Sequence, residues 1–205
     1  MQDLSAEEYD RRVTRAEKTA AASILLLWRK ATSDEKLDRE RFRRKLAAAI
    51  FWTRQAARSV GAASLGVAFR RDLATTVLDS REATALASSF VGAAGERIKR
   101  AAAEGTDSAL ADTRIKLAPR LETIAVTETN QIVNEARERA VLESLHKFRL
   151  VRGTWDAERD DHTCPVCRGL DGATRIVGSA DYPSGERPGW VHPRCRCRES
   201  FEFIE

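Results

Sequence analysis

Apolar residues recur at helical spacing through the first two thirds of the chain and at strand spacing near its end. Between Ser5 and Lys30, Val13, Ala16, Ala20 and Ile24 or Leu27 fall on one stripe of a segment rich in Ala, Glu, Arg and Lys, which predicts a helix. Thr32-x-x-Glu35 has the form of a capping box, opening a second helix through Phe42, Leu46, Ala49, Ile50 and Ala57 that Gly61 and Gly66 loosen or end. Ser80 can cap a third helix reaching Glu104 and closed by Gly105. Thr106 or Asp107 caps a short fourth, and Pro119 marks the first turn of a fifth.

The fifth pattern, from about Arg120 to Lys147, is the longest, with Leu121, Ile124, Ala125, Glu128, Ile132, Ala136, Ala140 and Leu145 near one face. Thr127-Glu128-Thr129-Asn130 interrupts that stripe with polar groups. A solvated or half-buried polar turn is one reading. The other is that Glu128, a carboxylate on the core side, reaches a backbone group or an arginine of the C-terminal module.

After His146 the period becomes that of a strand. Phe148 to Trp155, Thr174 to Val177 and Ser200 to Ile204 are three short candidates, and Gly178 to Gly189 is a loop carrying Pro183 and Pro188. The chain is therefore expected to be α+β and mainly α. A multi-helix region over residues 1–147 leads through its long helix into a small β-rich module over residues 148–205. Three short strands bury too little apolar surface to fold alone.

The cysteines supply what the module lacks. All four lie in it, as Cys164-Pro-Val-Cys167 and His192-Pro-Arg-Cys195-Arg-Cys197. Two thiols separated by two residues can bite one tetrahedral ion, and the second cluster offers an imidazole and two more thiols, so the spacing reads as one structural zinc per chain. Five candidates compete for four places. Cys164 and Cys167 lead, then Cys195, with His192 and Cys197 rivals for the last. A disulfide reading finds no support at the N-terminus, where Met1-Gln-Asp-Leu-Ser-Ala-Glu-Glu lacks the basic and apolar regions of a signal peptide. A thioredoxin-like redox centre needs the Cys-x-x-Cys to open a helix in a βαβ unit, whereas Gly169 and Gly172 follow at once.

Composition changes this picture little. Of 205 residues, 42% are hydrophobic and 32% charged, no apolar run approaches a membrane span, and the net charge is +4. The excess is uneven, because residues from Val151 onward carry eight Arg against ten Asp or Glu. The helical region is thus mildly basic, which permits contact with nucleic acid or an acidic surface without demanding either.

Four motifs in order, Ile124-Ala-Val-Thr127-Glu128-Thr129-Asn130, Asn134-Glu-Ala-Arg137, Trp155 through Asp160-Asp161 to Cys164-Pro-Val-Cys167-Arg-Gly-Leu170-Asp171-Gly172, and His192-Pro193-Arg-Cys195-Arg196-Cys197, make the chain similar over about residues 70 to 200 to one family. It resembles the phage Mu F-like head morphogenesis proteins, minor head proteins of tailed bacteriophages. The resemblance implies a low-copy capsid component inside the head near the portal vertex, present in the host cytoplasm during assembly, which acts in head assembly and in DNA packaging or delivery. Portal and capsid proteins are the implied partners, packaged DNA is a further candidate, and neither a membrane nor a small-molecule substrate is expected. Some relatives carry a toxin or enzymatic domain after the closing motif. With Glu205 eight residues past Cys197, no appended activity is expected here.

Two alternatives belong to other classes. Asp161-His162 with a later histidine superficially suggests a metal-dependent nuclease, but that chemistry needs an open coordination position. Only three histidines exist, and spending His192 on catalysis would remove it from the staple. His162 then reads as a surface residue. A DNA-binding zinc module is the other alternative, from Arg39, Arg41, Arg43, Arg44 and Lys45 on the second helix and from Arg194, Arg196 and Arg198 in the closing knuckle. Those three alternate with the cysteines and can pair with Asp160, Asp161 or Glu128 as readily as with phosphate.

Overall fold

A computed structural model describes residues 4–32, 38–66, 73–103, 107–145 and 150–204. Four long helices, α1 (Ala6–Thr32), α2 (Arg39–Ser64), α3 (Leu73–Ala103) and α4 (Asp107–Leu142), precede strand β1 (Leu150–Asp156), a short helix α5 (Pro165–Leu170), and strands β2 (Thr174–Ile176) and β3 (Arg198–Ile204). The architecture is α+β and mainly α, as expected. The chain forms two compact units, one of Met1–Arg15, Ala56–Phe69 and Thr129–Glu205, the other of Ala16–Gln55 and Arg70–Glu128.

The all-helical unit is built on the apolar stripes. Ile24, Trp28, Phe42, Leu46, Ile50, Phe90, Leu117 and Leu121 are buried together. Trp28 stands 5.5 Å from Phe42 and edge-on to Phe90 at 5.8 Å, and its indole N–H donates to the Arg114 carbonyl at 3.1 Å. Such tilted pairs add stability beyond their buried area, and the indole finds the partner that burial demands.

Helix boundaries depart from expectation in four places. Asp38, not the Thr32 box, opens α2: its carboxylate accepts from the Arg41 amide at 2.9 Å, while Thr32 ends α1 and Glu35 lies outside the described residues. Gly61 lies inside α2, where a β-carbon would collide with the Val133 carbonyl and Ala136, so it serves close packing against α4. The helix ends before Gly66, whose φ of 70° suits glycine. Helix α3 begins at Leu73, well before Ser80, because burial of Thr75 and Asp79 carries the helix backward. Gly105, expected to close it, is outside the described residues.

The fourth departure is that the predicted fourth and fifth helices are one, with Pro119 inside α4. A proline there frees the carbonyl of residue 115. Ile115 is 69% exposed, so its carbonyl lies on the solvent side, where water replaces the lost donor at little cost.

In the other unit β1 is central, antiparallel to both neighbours, in the order β2-β1-β3. The register sets Gly153 opposite Arg175 and Phe201, and Trp155 opposite Glu199. Alternation therefore turns Val151, Gly153, Trp155, Arg175, Glu199 and Phe201 to one buried face. β3 starts at Arg198, two residues before the predicted start, and Phe148 lies outside the described residues.

Candidate metal centre

The chain returns from β1 through the acidic run to Cys164. Asp171 pins that return, accepting from the Ala157 amide and from Arg159 Nε, both at 3.0 Å. Cys164 then caps α5, its sulfur accepting from the Cys167 amide at 3.3 Å, with Pro165 in the first turn. The glycines expected to exclude a helix after Cys-x-x-Cys do not: α5 lasts six residues, long enough to turn both sulfurs the same way. No βαβ unit surrounds it, since β1 and β2 are antiparallel.

The second cluster is a tight turn. The Cys195 amide donates to the His192 carbonyl at 3.1 Å, and Arg194 adopts a left-handed φ of 61°. Cys195 and Cys197 point inward, beside Trp155, Tyr182 and Cys167, while Arg194 and Arg196 face out, as the alternation predicts.

The structure brings all five candidates into two triads that share Cys167. Cys164, Cys167 and His192 form one, and Cys167, Cys195 and Cys197 the other, with donor atoms in each within 4.8 Å of one another. Cys167 Sγ lies 3.7 Å from Cys195 Sγ and 3.5 Å from His192 Nε2. A tetrahedral ion with metal–sulfur bonds of about 2.3 Å and metal–nitrogen bonds of about 2.0 Å would set these edges near ~3.8 and ~3.5 Å. The donors therefore fit a metal ion. His192 is oriented for it, because Nδ1 donates to the Pro193 carbonyl at 2.8 Å and leaves the Nε2 lone pair, facing Cys167, to bind the ion.

Proton affinities within the cluster diverge. A hydrogen bond from the Cys197 thiol, with further ones from the Cys197 and Gly189 amides, holds Cys195 down to about 5 against the effect of burial. Burial pushes Cys167 up to about 12, and Cys197, as donor to Cys195, is also raised. A metal would displace these protons and make the thiolates equivalent in charge.

His162 joins neither triad. It is exposed and bound through its amide to Asp160 at 3.0 Å, and His146 is outside the described residues. Two knuckle arginines are committed to carboxylates, Arg196 to Asp160 and Arg198 to Asp156 at 3.3 Å.

Glu128 requires a correction. Its partner is Arg54 of α2, not a group of the C-terminal module, and the same guanidinium meets Asp79 at 2.9 Å and Glu82. On α4 it is Asn130, whose carbonyl lies against Gly189, and Asn134, about 9 Å beyond Glu128 along the axis at 1.5 Å per residue, that meet the module. Asn134 donates to the Cys197 carbonyl and Arg137 to that of Glu199, both at 3.0 Å. Arg137 is also stacked between Tyr9 and Phe201, 4.7 and 5.4 Å from their centres, and bonds Ser64.

Beneath the sheet lies a buried ionic group that the sequence did not disclose. Glu199 receives Arg175 through both oxygens, at 2.7 and 2.8 Å, and the Tyr182 hydroxyl at 3.0 Å. Arg175 continues to Glu138 at 2.8 Å, and Glu138 to Arg187 at 3.0 Å. Gly153 was the available signal, since a glycine inside a strand marks a close approach.

The family model described as Phage Mu protein F like protein matches residues 92–200, and the chain belongs to that family. No curated protein and no solved structure matches the chain.

Proposed function

We propose that this chain is a non-enzymatic minor head protein of a tailed phage, acting at the portal vertex in head assembly and in DNA packaging or delivery, with one structural Zn2+ stapling its C-terminal module. The observation that carries the reading is the extent of the family match, which takes in the polar segment of α4 and both thiol clusters together. Portal and capsid proteins are the partners of such a role. The head interior is its site in the virion, after assembly in the host cytoplasm. No helix among the described residues is long and apolar enough to cross a membrane.

Zinc is favoured by donor chemistry. Thiolates with one imidazole in tetrahedral geometry suit a soft-tolerant, redox-inert ion, and four protein donors leave no position for water. Such a site stabilises a fold rather than activating a nucleophile. Cys164, Cys167 and Cys195 would hold the ion with His192 or Cys197, and engagement of His192 with Cys167 removes it from any nuclease-like pairing with His162.

Quantitative mass spectrometry of purified proheads and virions, combined with a reconstruction of the portal vertex, tests the role. The expected result is a few copies per particle at that vertex. Absence from both kinds of particle would overturn the reading.

A further inference from the structure

The arginines crowded together in the sequence and the cations crowded together in space are different residues. In the cluster from Arg39 to Lys45, Arg43 is held by Glu40 through both oxygens at 2.6 and 3.0 Å, Arg44 approaches the same carboxylate at 3.9 Å, and Arg39 donates to the Gly95 carbonyl at 3.0 Å. Three of its five cations are thus paired or spent on packing, while Arg41 and Lys45 are exposed along one helix and, among the described residues, line no pocket. Where the end of α3 meets the early turns of α4, Arg97, Arg100, Ala101, Thr113 and Lys116 line a pocket of about 360 Å3. None of these described lining residues is acidic.

Of the two acids adjacent in sequence to lining residues, Glu96 is engaged by Lys99 at 3.3 Å and Arg39 at 3.9 Å, and Asp112 is exposed and not part of the lining. Among the described residues Arg97 and Lys116 make no ion pair. Among the same residues Arg100 makes a long bond to the Glu96 carbonyl at 3.5 Å. A cation in the last turn of a helix complements the dipole, and that accounts for Arg100. It does not account for Arg97, a turn earlier, or for Lys116 on another helix. Three cations converging on one concavity repel one another until an anion enters.

We propose that this pocket binds the sugar–phosphate backbone of DNA. Arg97 and Arg100 offer planar guanidinium forks to phosphate oxygens, Lys116 a point charge and Thr113 a hydroxyl donor. The pocket is larger than one tetrahedral anion requires, and it suits a run of backbone rather than a free phosphate. Contacts to phosphate oxygens position a duplex without reading its bases, so binding is expected to be independent of sequence. The proposal rests on the head-protein reading only in that packaged DNA is the polyanion such a protein meets.

The test uses the full chain and a labelled 30-base-pair duplex, with affinity measured across a series of salt concentrations. Arg97→Ala/Lys116→Ala is compared with Arg41→Ala/Arg44→Ala, which removes equal charge from the other cluster; all four positions are exposed, so both proteins should keep wild-type helicity. The expected result is a loss of about tenfold or more at 0.1 M salt for the first variant, with a log–log salt slope smaller by about 2, and little change for the second. No binding by the wild type, or equal weakening by both variants, would overturn the proposal. Competition by inorganic phosphate at millimolar concentration would also overturn it, in favour of a free-anion site. Particle content is measured separately, so failure here leaves the head assignment untouched.

Discussion

Glu199 of β3 fills the space over Gly153 of β1 in which a β-carbon would stand. The glycine is thus what admits a buried carboxylate to the inner face of the sheet, where Arg175 and Tyr182 satisfy it. Breaking one side of a buried ion pair leaves an uncompensated charge.

Gly153→Ala is therefore expected to cost about 2–4 kcal/mol by displacing Glu199 from Arg175. Gly169→Ala, where nothing stands within 4 Å of the added carbon, should change stability by no more than about 0.5 kcal/mol. Urea unfolding of the two proteins gives the comparison. Equal midpoints would mean that Glu199 moves aside without loss.

Cys167 belongs to both triads, so its loss should be the most severe of the five ligand substitutions. Cys167→Ser is expected to abolish the one-per-chain metal measured by elemental analysis on reduced protein. His192→Ala and Cys197→Ala should differ from each other, because four places cannot need five donors; the variant that keeps stoichiometric zinc identifies the surplus group. Full retention of zinc by Cys167→Ser would rule out this arrangement.

One guanidinium cannot neutralise three carboxylates, and the Arg54 cluster shows the consequence. Burial raises the Glu128 pKa above its ordinary 4.5 in spite of Arg54, with Glu82 and Asp79 adding repulsion. The folded state then binds this proton more tightly than the unfolded state does. Stability from this group is present at low pH and is lost as pH rises from about 4.5 through the folded value. Glu128→Gln should flatten that part of the profile and leave neutral-pH stability equal or higher. Arg54→Met should instead cost about 3–5 kcal/mol, since it takes the cation away from Asp79, which is fully buried and keeps the neutral donor Gln55 at 2.7 Å. Thermal melts of both variants from pH 4 to pH 8 provide the measurement.

The thiol cluster was legible because its donors sit at fixed local spacings, and the strands because alternation survives in short segments. What escaped was tertiary. Nothing near Glu128 in sequence points to Arg54, because that contact depends on the crossing of two helices. Pro119 reads as a helix start until the exposure of Ile115 shows that the orphaned carbonyl is harmless. Gly61 reads as a breaker until Val133 is seen against it. In each case a local preference gave way to packing that the chain determines only once it is folded.

The last prediction concerns what the metal holds in place. Asn134 and Arg137 fasten α4 to the backbone of Cys197 and Glu199, so the segment that follows the second thiol cluster is also the strap on the helix. If zinc fixes Cys195 and Cys197, its removal frees the carbonyls to which those side chains are tied. Chelation should then speed amide hydrogen exchange in β3 and in residues 130–142 of α4, while the helices around Trp28, Phe42 and Phe90 stay protected. Cys164→Ser should act in the same direction and lower incorporation into heads, with a fragment ending at residue 145 still helical. Exchange that rises only in the knuckle, together with normal incorporation of Cys164→Ser, would confine the metal to a local role.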